Sequence, residues 1–110
     1  MNGTEMNSLT LEIRDEIVRG VILSVLIRHR LEWVTFRNLW VQVQRGQGFP
    51  LEESELKFHL NYLSDSARGY LENKPMRAGR GGTEFSFVRA TAKAVDLHDG
   101  RLPLDPGVAF

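Results

Sequence analysis

The sequence predicts a small α+β domain, and three observations predict it. Residues 51–71, LEESELKFHLNYLSDSARGYL, carry Leu56, Leu60, Leu63 and Ala67 at helical spacing, an inward stripe opposed by Ser54, Lys57, Asn61 and Asp65. Gly69 supplies the left-handed residue that ends such a helix. A longer apolar-rich helical stretch precedes it at residues 11–27. After it, residues 83–89 alternate with the two-residue period of a strand, behind the glycine-rich run 78–82.

In chain order, residues 1–8 read as a flexible polar tail, 9–100 as the domain and 101–110 as an extended C-terminal tail. Thr10 is suited to cap a first helix from Leu11, with Glu12, Asp15 and Glu16 placed favourably against the macrodipole. Ile13, Ile17, Val18, Val21, Ile22, Val25 and Leu26 form its core stripe; Leu23 and Ile27 widen it beyond one face. Such excess predicts a cover, either the C-terminal tail or a second subunit. A homodimer through Leu23, Ile27, Leu104, Val108 and Phe110 is therefore expected.

Trp33-Val34 reads as a short edge strand. Thr35 caps a second helix, Phe36 to Gln44, with Phe36, Leu39, Trp40 and Val43 inward, and Arg45 to Gly48 ends it. Pro50 and Leu51 anchor the turn into the third helix. Tyr70 to Arg77 is a strand that Pro75 confines to an edge or bulge. Its partner, Thr83 to Arg89, sets Phe85 and Phe87 on one face and Glu84, Ser86 and Val88 on the other. Thr91 caps a last short helix through Leu97, stopped near Gly100.

Bulk composition narrows the function classes. Apolar residues make up 42% and charged residues 25%, ordinary for a soluble globular protein. There is no cysteine, which excludes disulfides and thiolate metal sites and fits a cytoplasmic location. The longest apolar run, Val21 to Ile27, is far too short to cross a bilayer, so no membrane partner is expected. Fourteen basic residues against fourteen acidic ones argue against strong non-specific nucleic-acid binding, though not against a local patch.

The order helix, short strand, helix, turn, helix, two-stranded wing resembles the winged helix-turn-helix fold over residues 9–89. Trp33 to Trp40, Leu56 to Leu63 and Gly69-Tyr70-Leu71 carry the resemblance. Ala90 to Leu97, ATAKAVDL, is similar to the ending common after the wing in bacterial members, with Ala94 where a glycine is usual. The whole chain is also similar to small winged-helix proteins of Mu-like phages and prophages. The resemblance implies a regulatory or accessory factor that binds duplex DNA, its third helix in the major groove and its wing alongside.

Ser54, Lys57, Phe58, Asn61 and Arg68 are the helix candidates for DNA contact, since Asn pairs with adenine and Lys with guanine. The wing offers Lys74, Arg77, Arg80 and Arg89 against Glu84 alone, with Arg80 between glycines at the tip. Against this, residues 52–66 hold Glu52, Glu53, Glu55 and Asp65 against Lys57 alone. Acids at a helix start satisfy its dipole but repel phosphate. The alternative, a protein-binding module on the same scaffold, stays open.

No enzyme is expected. His29, His59 and His98 are widely separated and no pair has helical ligand spacing, so neither a metal nor another cofactor is expected. His59 lies near the core stripe and reads as a satisfied, partly buried histidine. No Ser-His-Asp grouping follows from spacing. The aromatic residues Trp33, Phe36, Trp40, Tyr62, Phe85 and Phe87 read as core by periodicity, and Phe58 as the outward exception.

Overall fold

The computed structural model describes residues 3–47, 50–74 and 87–110, with side chains described except those of residues 3–10 and 47. Among the described residues seven elements follow in chain order: α1 (Gly3–Arg28), β1 (Val34–Thr35), α2 (Phe36–Gln47), α3 (Glu53–Ser64), β2 (Leu71–Lys74), β3 (Phe87–Ala90) and α4 (Ala92–His98). The class is α+β: four helices with a three-stranded antiparallel sheet in the order β1-β3-β2. No helix among the described residues is long and apolar enough to cross a membrane.

α1 begins at Gly3, well before the expected Thr10 cap. Nothing between Gly3 and Arg28 except Gly20 opposes propagation, and each added residue contributes one more backbone bond. Its core side is narrower than its apolar sequence suggests. Val18, Ile22, Leu23, Val25 and Leu26 are fully buried, whereas Ile13 and Ile17 are exposed and Val21 half-buried. Periodicity finds a helix, but here two apolar stripes overlap and only the neighbours decide which one is covered. Leu23, expected on a dimer face, belongs to the monomer core.

Thr35 caps α2 as expected, its hydroxyl accepting from the Asn38 N–H at 3.2 Å. The helix continues through Gly46 to Gln47. Two of its side chains hold the turn into α3. The Trp40 indole donates to the Leu51 carbonyl at 2.6 Å, and the Leu51 N–H donates to Gln44 at 3.4 Å. Leu51 is buried there, while Pro50 stays exposed.

α3 buries Leu56, Leu60 and Leu63 as expected, and His59 with them. It stops at Ser64, short of the expected end. The Asp65 carboxylate accepts the Ala67 N–H at 3.0 Å, competing with the helical pattern for a backbone donor. The chain then turns through Gly69 at φ 63°, and the Tyr70 N–H returns to the Leu63 carbonyl. Ala67 is consequently exposed, not part of the inner stripe.

β3 is the central strand, pairing Val34 with Val88 on one side and Leu71 with Ala90 on the other. Val88 and Ala90 are buried, and Phe87 and Arg89 half-buried. The expected facing is thus reversed: Val88 is inward and Phe87 outward. Alternation fixes two sets of residues but not which set meets the core, and a one-residue slip exchanges them. Pro75, the glycine-rich tip and residues 83–86 lie outside the described residues.

Thr91 caps α4, its hydroxyl accepting from the Ala94 N–H. The tail then lies across the body. Tyr70 donates to Asp105 at 2.7 Å, and the Gly107 N–H donates to the other oxygen of the same carboxylate at 2.8 Å. Burial pushes the Tyr70 phenol up to about 12, helped by Asp105. Burial alone would raise the Asp105 carboxyl, but the Tyr70 and Gly107 bonds, with Arg68 and Arg19 nearby, hold it below its usual value.

Val108 is buried, and the Ala109 N–H donates to the Glu16 carbonyl at 3.0 Å. At Gly20 a Cβ would stand 1.8 Å from the Ala109 carbonyl oxygen. Gly20→Ala should therefore lower Tm by several degrees, although alanine favours a helix interior by about 1 kcal/mol over glycine. A variant more stable than wild type in thermal unfolding would contradict this placement of the tail.

Candidate nucleic-acid interface

α3 presents a stripe the core does not use. Ser54, Lys57, Phe58 and Asn61 follow at i, i+3, i+4 and i+7, opposite Leu56, His59, Leu60 and Leu63. Ser54, Phe58 and Asn61 are exposed and Lys57 half-buried. Phe58 is 58% exposed, on the polar side of a helix whose apolar side is already filled. Its ring contacts only the neighbouring His59 ring, edge to face at 5.4 Å between centroids, among the aromatic contacts of the described residues.

The acidic start of α3 is largely neutralised by the fold. Lys57 pairs with Glu53 at 3.4 Å, one turn away. Arg14 of α1 pairs with Glu55 and also donates to the Pro50 carbonyl at 3.2 Å. Glu52, extended at the N-cap position without a side-chain cap bond, remains. The sequence reading missed Arg14, because only tertiary packing brings a residue 41 positions away against Glu55.

Arg68 does not join this stripe. Its guanidinium lies over the Tyr62 ring at 3.6 Å and within 3.6 Å of Asp65, which holds it in the turn after α3.

The remaining described candidates sit on the sheet beside α3. Val34, Val88, Ala90 and Leu71 face inward, so the register places Thr35, Phe87 and Lys74 in one outward row and Arg89 opposite Glu72 in the next. Arg89 makes a forked contact with Glu72 at 2.9 and 3.2 Å. It also stacks over the Trp33 ring at 4.4 Å, with the Lys74 ammonium 5.9 Å from that ring. Trp33 is 38% exposed, outside the core where periodicity put it. Its position one residue before the buried Val34 of β1 carries that information. Arg77 and Arg80 lie outside the described residues.

A second cluster joins α1 to α3. Asp15, Glu55 and His59 bring one potential ligand atom each to within 4.8 Å of the others, a grouping the sequence reading did not anticipate. The hydrogen bonds argue against a cation there. Arg19 Nε–H donates to His59 Nδ1 at 3.2 Å, so Nδ1 is the acceptor and the neutral ring carries its proton on Nε2. A metal would need the Nε2 lone pair. That nitrogen instead points at Asp15 Oδ1 from 3.5 Å, too far for a firm hydrogen bond, and has no other partner among the described residues.

His59 is fully buried. Burial pushes it down to about 4; Asp15 opposes the shift, and Arg19 and Arg14 reinforce it. Of the other histidines, His29 meets Gln42 at 3.2 Å and His98 meets Asp99 at 3.3 Å, both away from this cluster.

Of the expected dimer residues, Leu23 and Val108 are buried within the chain and Ile27 packs against the core. Leu104, 89% exposed, and Phe110 remain on the surface. No protein-family model, curated protein or solved structure matches the chain.

Proposed function

We propose that the chain is a winged helix-turn-helix protein that binds duplex DNA as a regulatory or accessory factor. α3 would enter the major groove, and Lys74 and Arg89 would flank it from the base of the wing. The observation that carries this reading is the open stripe Ser54, Lys57, Phe58 and Asn61, a set of groups suited to base edges that contributes nothing to the core. Asn61 is suited to an adenine edge and the exposed Phe58 to a thymine methyl. The pairing of Glu53 and Glu55 with Lys57 and Arg14 lowers the electrostatic barrier at the start of α3.

Salt tests the reading. Duplex affinity measured by fluorescence anisotropy should fall steeply as salt rises, and Lys74→Ala should reduce the slope of log affinity against log salt by about one. On a duplex selected from a random library, Asn61→Ala should cost about 1–3 kcal/mol and relax preference at one base pair. Absence of binding to random duplex at low salt and micromolar protein would overturn DNA binding. The same exposed face would then be read as a protein-docking surface, favoured by the commitment of Lys57, Arg68 and Arg89 to internal acids.

A further inference from the structure

α1 carries an apolar stripe on the side away from the core. Ile13, Ile17 and Ser24 mark a short seam there, four and seven residues apart on one side of the helix, bordered by Gly20, which the Ala109 carbonyl of the tail covers, and by Ile27, which packs against the core. The first part of the seam is open: Ile13 is 55% and Ile17 41% exposed. From Ile17 onward it forms the floor of a groove of about 350 Å³, with Val21 and Ser24 beneath. Gly46, near the end of α2, walls one side and Ala109-Phe110 the other, and Arg28 stands at the far end. Phe110 is 54% exposed, its ring held edge-on by His98 at 4.9 Å.

We propose that this groove receives the first half of α1 from a second copy of the chain, the two α1 helices lying antiparallel about a two-fold axis. Knob and groove share Ile17 and lie on one seam, so the same surface serves both copies, as an isologous contact requires. Charge selects the direction. The open half of α1 is flanked by Glu12 and Glu16, and its one cation, Arg14, is paired with Glu55. The groove end carries Arg28, and the exposed Arg45 on the last turn of α2 precedes the wall residue Gly46. Antiparallel copies bring acids against arginines at both ends, whereas parallel copies would set like charges together.

The surface differs from the dimer face expected from sequence. Ile13 and Ile17 take the places of Leu23 and Val108, which the monomer core occupies.

Sedimentation equilibrium on the full chain, without nucleic acid, tests this proposal apart from DNA binding. Wild type should approach twice the chain mass at micromolar concentration. The double variant Ile13→Asp/Ile17→Asp should run as a monomer with unchanged helical circular dichroism, because both positions are exposed. Glu16→Arg and Arg28→Glu should each weaken association through polar positions, and mixing those two variants should restore a dimer. A wild-type monomer, a dimer indifferent to the isoleucine changes, or a mixture that fails to reassociate would each overturn the proposal.

Discussion

Replacing Arg19 by methionine is expected to destabilise the fold by about 3 kcal/mol, roughly 15 °C in Tm for a domain of this size. Arg19 is only 9% exposed and holds three parts of the chain. It donates to His59 on α3 and to the Gly107 carbonyl of the tail, both at 3.2 Å, and lies over the Tyr62 ring at 3.6 Å. Tyr62 is thus enclosed between Arg19 and Arg68, and at Gly107 a Cβ would come within 2.1 Å of its hydroxyl.

Methionine keeps the apolar stem but leaves a half-buried carbonyl and a buried imidazole nitrogen without their donor. Lysine should recover little, because a point charge does not reproduce two directed N–H bonds and a planar stack. Thermal unfolding supplies the magnitude. Faster hydrogen exchange at Val108 and Ala109 would show that the tail has come loose. A Tm within a few degrees of wild type would mean that Arg19 does not join the tail to the helices.

Acidification is expected to remove a comparable amount. His59 sits at about 4 in the folded chain against 6.5 as its reference value. Between those limits the unfolded chain binds the extra proton, so stability rises with pH across the window. The contribution is fully present above about pH 6.5 and is lost as pH falls through 4, amounting to about 3 kcal/mol. Protonation at Nδ1 would also set an N–H against the Arg19 N–H, unseating the donor that holds the tail.

His59→Gln separates this effect from the carboxylates. Its amide can accept from Arg19 and donate toward Asp15 without titrating, so urea-unfolding stability should flatten between pH 6.5 and 4. The lowered carboxyl of Asp105 would act in the same direction at lower pH and remain in the variant. An unchanged pH profile in His59→Gln would remove His59 from the account.

Much of the architecture was legible because local chemistry and periodicity agree on it. Thr35 and Thr91 announce their helices, Leu56, Leu60 and Leu63 announce the buried side of α3, and Gly69 announces the turn that follows. The composition of the outward α3 stripe, Ser54, Lys57, Phe58 and Asn61, came from the same periodicity and holds in the structure.

Elsewhere periodicity was ambiguous. α1 has more apolar positions than one face can bury, so Leu23 and Ile13 exchange the places expected of them. Strand alternation left the facing of Val88 and Phe87 undecided until pairing with β1 and β2 settled it.

The sequence by itself determined the α+β class, the helix caps and the side of α3 turned to solvent, because these depend on neighbours within about one turn or one strand repeat. Only the tertiary structure decided which stripe of α1 the core covers, how Arg14 matches Glu55 and how Arg19 joins His59 to the tail. Those pairings link residues 40 to 88 positions apart, where no local period connects one partner to the other.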